Sequence, residues 1–182
     1  MKTIIGIIGG IGSGKDTVAD YIARKLTMSA YQISQPVKDI AKTKGLEPTR
    51  DNLVELGTKI AQEKGADFII KVLLERINHK AIITGLRQLP QIEYLRKNTK
   101  LILIAIEAEP RIRFNRATAR NKPDEAKTIE EFINNEQSEN SGQHIQRLFD
   151  CMKLADYTIE NNADLESLFK KIDYLLKQEK LS

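Results

Sequence analysis

The 182-residue sequence has a single cysteine, Cys151, so no disulfide can form within the chain, and the reducing cytoplasm is the expected location. No stretch approaches the ~18 uninterrupted apolar residues of a membrane span, and no membrane partner is expected. The two histidines, His79 and His144, have neither a triad partner nor metal-ligand spacing, and both read as surface residues. Without a second cysteine, zinc is not expected. No paired carboxylates suggest glycosidase chemistry, and no G-x-S-x-G marks an esterase. Repeats, low-complexity segments and lysine runs are all missing. The net charge of +4 is modest. It suits a site for anionic small molecules, and no nucleic-acid partner is expected.

What remains is an ordinary globular composition, 41% apolar and 30% charged, in a chain long enough for one domain spanning 1–182. The apolar start "TIIGIIGGIG" lacks a signal-peptide cleavage pattern and runs straight into Gly-Ser-Gly-Lys-Asp. It reads as a buried strand over residues 3–8 followed by a glycine loop. Val18, Ala19, Ile22 and Leu26 share one helical face, so a helix over 15–26 follows the loop. Further strands are expected over 30–34, 81–84, 101–108 and 156–161. Helices are expected over 36–44, 49–63, 66–78, 90–97, 110–120, 128–139 and 144–153, with a closing helix from 165. Thr49 and Asp164 read as caps, and Thr128 with Glu131 has capping-box spacing. Strands alternating with helices imply an α/β fold with a parallel sheet covered on both faces.

The segment Gly9-Gly10-Ile11-Gly12-Ser13-Gly14-Lys15 has the spacing of a phosphate-binding loop, in the strand–loop–helix context that such a loop requires. Glycines let backbone N–H groups approach an anion, the helix N-terminus adds unsatisfied donors, and Lys15 adds a compact charge. The usual Ser or Thr after the lysine is replaced by Asp16, with Thr17 next. Asp16 is either a Mg²⁺ ligand or a first-turn acid favoured by the helix dipole. Downstream, Arg113, Arg116 and Arg120 are spaced i,i+3 and i,i+4 on one helical face, either as a solvated basic stripe or as charge directed at a phosphate. Arg111 lies off that face. Arg87 follows the strand at 81–84, at the end where open α/β sheets bind ligands. Gly85 stands where an acid that orients Mg²⁺ waters is usual. Asp67 and Lys71, one turn apart, read as a helix pair.

The segments "GSGKDTVADYI", "YQISQPVKDIA", "LVELGTKIAQEKGADFIIKVL" and "IITGLRQLPQIEYLR" together resemble the deoxynucleoside monophosphate kinases of bacteriophage type and their cellular relatives. "GGIGSGK" and "ADYTIEN" are also similar to dephospho-CoA kinase, although Ser34-Gln35-Pro36-Val37-Lys38-Asp39 stands where that enzyme has Asp-Ala-Asp. The resemblance implies a P-loop NTPase fold, three-layer α/β/α with a five-stranded parallel sheet. It implies a helical acceptor-binding insert at about 35–80 and an arginine-bearing lid at about 110–128. ATP and Mg²⁺ would be held by Gly10, Ile11, Gly12, Ser13, Gly14, Lys15, Asp16 and Thr17, with Asp16 the metal candidate. Asn161 is either an adenine contact or a plain turn residue. Ser34, Lys38, Asp39 and Arg87 would face the acceptor, with Asp39 either reading sugar or base or favouring a helix N-terminus. The role of Thr58 stays open. Lys15, Arg87, Arg113, Arg116 and Arg120 would be catalytic. The expected activity is ATP-dependent phosphorylation of a (deoxy)nucleoside monophosphate by a monomer or homodimer. Dephospho-CoA kinase is the alternative, and a non-kinase nucleotide switch a third reading.

Overall fold

The computed structural model describes residues 1–120, 126–140 and 147–181. The first strand, β1 (Thr3–Ile8), carries isoleucines on both faces because it lies in the middle of the sheet. Ile4 and Ile8 point to one layer, Ile5 and Ile7 to the other, and all four are fully buried. Each contributes about 1.5–3 kcal/mol of burial. The other strands are β2 (Ser29–Gln32), β3 (Lys80–Thr84), β4 (Lys100–Glu107) and β5 (Tyr157–Glu160). They form one five-stranded sheet in the order β2-β3-β1-β4-β5, and every pairing is parallel.

Helices α1 (Lys15–Leu26) and α9 (Leu165–Gln178) cover one face through Val18, Ile22, Leu168 and Ile172. Helices α4 (Phe68–Glu75), α5 (Leu89–Asn98) and α8 (Leu148–Lys153) cover the other through Ile70, Leu73, Ile92 and Leu148. The result is the three-layer α/β/α arrangement expected from the sequence. Cys151 is buried in the second layer, and burial pushes its thiol up to about 12, which leaves it unionised and inert at neutral pH.

Between β2 and β3, helices α2 (Gln35–Thr43) and α3 (Arg50–Lys64) pack with the start of α4 around a small core of Val37, Ala41, Leu56, Ile60 and Ile69. After β4, helix α6 (Pro110–Thr118) packs on α7 (Ile129–Asn140), with Phe114 edge-on to Phe132 at 5.8 Å.

Local signals set most boundaries. Thr49 Oγ1 accepts the Asn52 amide (3.3 Å), and Asp164 Oδ1 accepts the Ser167 amide (2.8 Å). Thr128 Oγ1 accepts the Glu131 amide (3.1 Å), while Glu131 reaches back to the Lys127 amide (2.8 Å). Helix α4 is shorter than the expected 66–78. A turn at Gly65 (φ +96°) delays its start, and i→i−3 bonds from Arg76 and Ile77 close its end. Strand β2 stops two residues early because Ser34 already serves as the N-cap of α2. The expected beginning of α8, and with it His144, lies outside the described residues, as do residues 121–125 of the expected lid.

Gly57, inside α3, is the one helix-interior glycine among the described residues where an added methyl meets nothing within 4 Å. Gly57→Ala is expected to stabilise the fold by about 0.5–1 kcal/mol, because a helical glycine forfeits more backbone freedom than alanine. Thermal unfolding should show a rise of roughly 1–4 °C.

Candidate phosphate-transfer site

The loop after β1 turns through Gly12 (φ +75°) and Gly14 (φ +94°), conformations that side-chain-bearing residues rarely adopt. Gly14 is the N-cap of α1. Having no side chain, it cannot cap, so the first amides of α1 stay free to meet an anion. The loop is enclosed on several sides. A Cβ on Gly9 would lie 2.5 Å from the Ile106 carbonyl, and one on Gly14 would strike Asn161 Nδ2. One on Gly10 would lie 2.6 Å from Glu136 and 2.7 Å from Arg113. Among the described residues, two buried side-chain polar atoms have no partner, Ser13 Oγ in this loop and Gln88 Oε1 beside Arg87. Cradle and orphaned hydroxyl together fit a nucleotide's phosphates.

Lys15 opens α1 with its side chain only 15% exposed. Burial lowers its pKa, Asp16 opposes the shift, and the positive charges of Arg87 and Arg120 add to it. Lys15 thus feels positive charge from the turn after β3 and from the end of α6, surroundings that suit an anion. Asp16 Oδ2 is 3.4 Å from Lys15 Nζ, and its side chain is half exposed. Among the described residues no cluster of three His, Cys, Asp or Glu forms a metal cage. Mg²⁺ arriving on a triphosphate keeps waters and needs one or two carboxylates at most, so Asp16 alone fits that supporting part. Gly85 (φ +83°) occupies the end of β3, as expected, and brings no acid.

The three arginines after β4 do not act together. Arg120 lies just past α6, exposed and near enough to Lys15 to affect its charge. Arg116 donates to the Asn161 carbonyl (3.0 Å). Arg113 is a correction to the expected arginine face. It is buried, with a two-pronged pair to Glu136 (2.6 and 2.7 Å) and a bond from Nε to the Ala108 carbonyl (3.0 Å), so its donors are spent within the protein. Arg111 is exposed, as expected. Asn161 supports the loop rather than offering its amide to adenine. Its Nδ2 donates to the Ser13 carbonyl (2.8 Å) and its N–H to the Glu107 carbonyl (2.7 Å).

On the acceptor side, Arg87 follows β3 next to β1, at the point where the strand order reverses. Gln91, which the sequence reading passed over, sits one turn into α5, buried, with Oε1 accepting the Arg87 amide (3.3 Å). A polar residue on the same buried face as Ile92 and Leu95 was the available signal. Ser34 stands at the N-cap position of α2 without a capping side-chain bond, and Lys38 reaches Gln32 (3.4 Å). Asp39 pairs with Arg76 (2.6 Å) and accepts from Gln35 (2.9 Å), and these bonds hold its carboxyl below the usual range. Asp67 and Lys71 form the expected helix pair at 2.8 Å. A cavity of about 670 Å³ lined by Lys2, Lys71, His79 and Tyr94 opens at the amino ends of the strands, the edge opposite the loop. No helix of the described residues is long and apolar enough to cross a membrane.

Comparison with known proteins agrees with this geometry. A family model described as AAA domain matches residues 5–142. A UPF0200 protein of Methanocaldococcus jannaschii is 30% identical over 181 residues, covering 96% of this chain and 89% of the relative. A UPF0200/UPF0201 protein of Archaeoglobus fulgidus is 29% identical over 95% of this chain, which spans 54% of that relative's length. In structure, the chain is similar to shikimate kinase from Acinetobacter baumannii (TM-score 0.63, 18% identity, covering 100% of this chain and 97% of the other), which shows a shared fold. With a phosphate loop, a sheet in 2-3-1-4-5 order and these relatives, the chain belongs to the UPF0200 proteins and carries a P-loop domain of the AAA family.

Proposed function

We propose that the protein transfers the γ-phosphoryl group of Mg·ATP to the phosphate of a nucleoside monophosphate, a deoxynucleotide in the first instance, giving the diphosphate and ADP. The glycine loop ahead of α1, with buried Lys15 at its end and the unpartnered Ser13 hydroxyl within it, carries this reading, and the positive charges of Arg87 and Arg120 felt at Lys15 support it. Phosphoryl transfer needs little covalent chemistry from the protein. It needs two anions held in line and charge placed around the moving group. The loop amides and Lys15 take the β- and γ-oxygens of the donor, and Arg87 takes the acceptor phosphate. Arg120 would be available to the charge that develops on the transferring group, and Asp16 is the carboxylate available to the nucleotide's Mg²⁺.

A phosphate acceptor is already an oxyanion and needs no base. A hydroxyl acceptor, as in dephospho-CoA, needs one, and Asp39 is a poor choice while Arg76 and Gln35 hold its pKa down. The test is ADP formation from Mg·ATP across deoxy- and ribonucleoside monophosphates and dephospho-CoA, each against a blank without acceptor. Stimulation by one monophosphate supports the reading, stimulation by dephospho-CoA replaces it, and slow hydrolysis alone favours a nucleotide switch. Arg87→Ala is expected to raise KM for the acceptor about 10–100-fold, the worth of a charge-assisted hydrogen bond, with KM for ATP nearly unchanged. Steady-state kinetics in both substrates check this.

A further inference from the structure

We propose that Glu136 on α7 and Arg113 on α6 are a positioning pair that shapes the phosphate loop from outside, so that the loop's affinity for ATP depends on α7. The inference rests on reading the loop as an ATP site. The pair is two-pronged, and the side chains are only 10% and 16% exposed. It bears directly on the loop. Arg113 Nη1 lies 3.5 Å from the Ile11 carbonyl, and the space beside Gly10 is filled by Glu136 Oε1 and Arg113 Nη1. The backbone of Arg113 fills the space beside Gly12. Three consecutive loop residues thus rest on one arginine and its partner. The Phe132 ring, 5.4 Å from the guanidinium, and the edge-on Phe114 hold the pair in place.

Charge arithmetic separates this pair from Arg87 and Arg120. Arg113 alone, this close, would be drawn onto the phosphates, and Glu136 alone would repel them. Locked together they are neutral and lend the nucleotide no net charge. Their contribution is geometric. Only a planar fork spans both carboxylate oxygens while facing the Ile11 carbonyl, so lysine cannot replace it. Buried ion pairs add little to stability, which fits a pair kept for shape.

The test uses the full chain and the variants Glu136→Gln, Arg113→Lys and both together. ATP affinity is read by calorimetry, and amide hydrogen exchange of residues 10–14 is read without ligand. Arg113→Lys, which keeps both charges and loses the fork, should weaken ATP about tenfold or more; both single variants should speed loop exchange, while KM for the acceptor stays unchanged. The double variant should be no worse than the poorer single one, because both remove the same link. Folded variants with wild-type affinity and exchange overturn the proposal, as do strictly additive losses. Should the single variants fail to fold, Arg113→Met with Glu136→Leu removes both buried charges at once, and the same losses are expected of it. Wild-type protein that binds no ATP, with Lys15→Met no different, would defeat the ATP reading instead. Loop exchange would still decide the pair.

Discussion

Replacing Lys15 by methionine is expected to lower turnover by about 10²–10³-fold, the usual cost of removing one preorganised charge from a reacting site, and to leave the fold at least as stable at pH 7. The first effect follows from the position of Lys15 at the start of α1, facing the loop. The second follows from its pKa. Burial, together with the charges of Arg87 and Arg120, lowers the folded-state value below 10.5. The unfolded chain therefore holds this proton more tightly. Between the folded pKa and 10.5 the unfolded state binds more protons, so stability rises with pH across that window. Below the window, at neutral pH, the charged lysine carries its full destabilising cost. Methionine keeps the apolar stem and removes the charge, so its advantage in melting temperature should be largest near neutrality and shrink towards pH 10.5. Thermal melts at several pH values and a turnover assay check both halves. Wild-type turnover in this variant would place the donor site elsewhere.

Among the glycines of the described residues, Gly12→Ala is expected to be the most damaging added methyl group. The residue has φ +75°, where a Cβ costs about 1–2 kcal/mol in the backbone alone. The new atom would also overlap the Arg113 carbonyl oxygen, with the carbonyl carbon at 2.8 Å and Cα at 2.9 Å. Those are backbone atoms inside α6 and cannot swing aside as the end of a side chain can. Forced repacking adds about 1–3 kcal/mol. The total, about 2–5 kcal/mol, corresponds to a melting temperature lower by roughly 4–20 °C. ATP affinity should fall with it, because α6 can yield only by moving the wall of the loop. Set beside Gly57→Ala, the same chemical change has opposite signs, decided by φ and by what stands next to the Cβ. A Gly12→Ala protein melting like wild type would show that α6 is not fixed against the loop.

The sheet, its order of elements and the phosphate loop were legible in the sequence because their signals are local. The isoleucine run of β1 and the run 101–108 can only be buried strands. Thr49, Thr128 and Asp164 cap within three residues of their own positions, and the loop's glycines sit between a strand and a helix. The relations among distant residues were not legible. Spacing puts Arg113, Arg116 and Arg120 on one face, but Glu136 decides that Arg113 turns inward, and Glu136 is one acid among several in "EEFINNEQSEN". Asp39 had an evident environment at the head of α2, yet its partner Arg76 is 37 residues away. Asn161 follows the last strand, and nothing local announces that its amide is committed to Ser13.

That last bond gives the site a place in time. Ser13 and Asn161 are 148 residues apart, and at about 5–20 residues per second a ribosome takes roughly 7–30 s to make the chain between them. The glycine motif is among the first segments to emerge, but its flanking strands β3 and β4 and its tether at Asn161 come much later. For most of its synthesis a nascent chain carries the motif without the frame that gives it shape. If the loop holds ATP as proposed, nucleotide capture is expected only of nearly finished molecules.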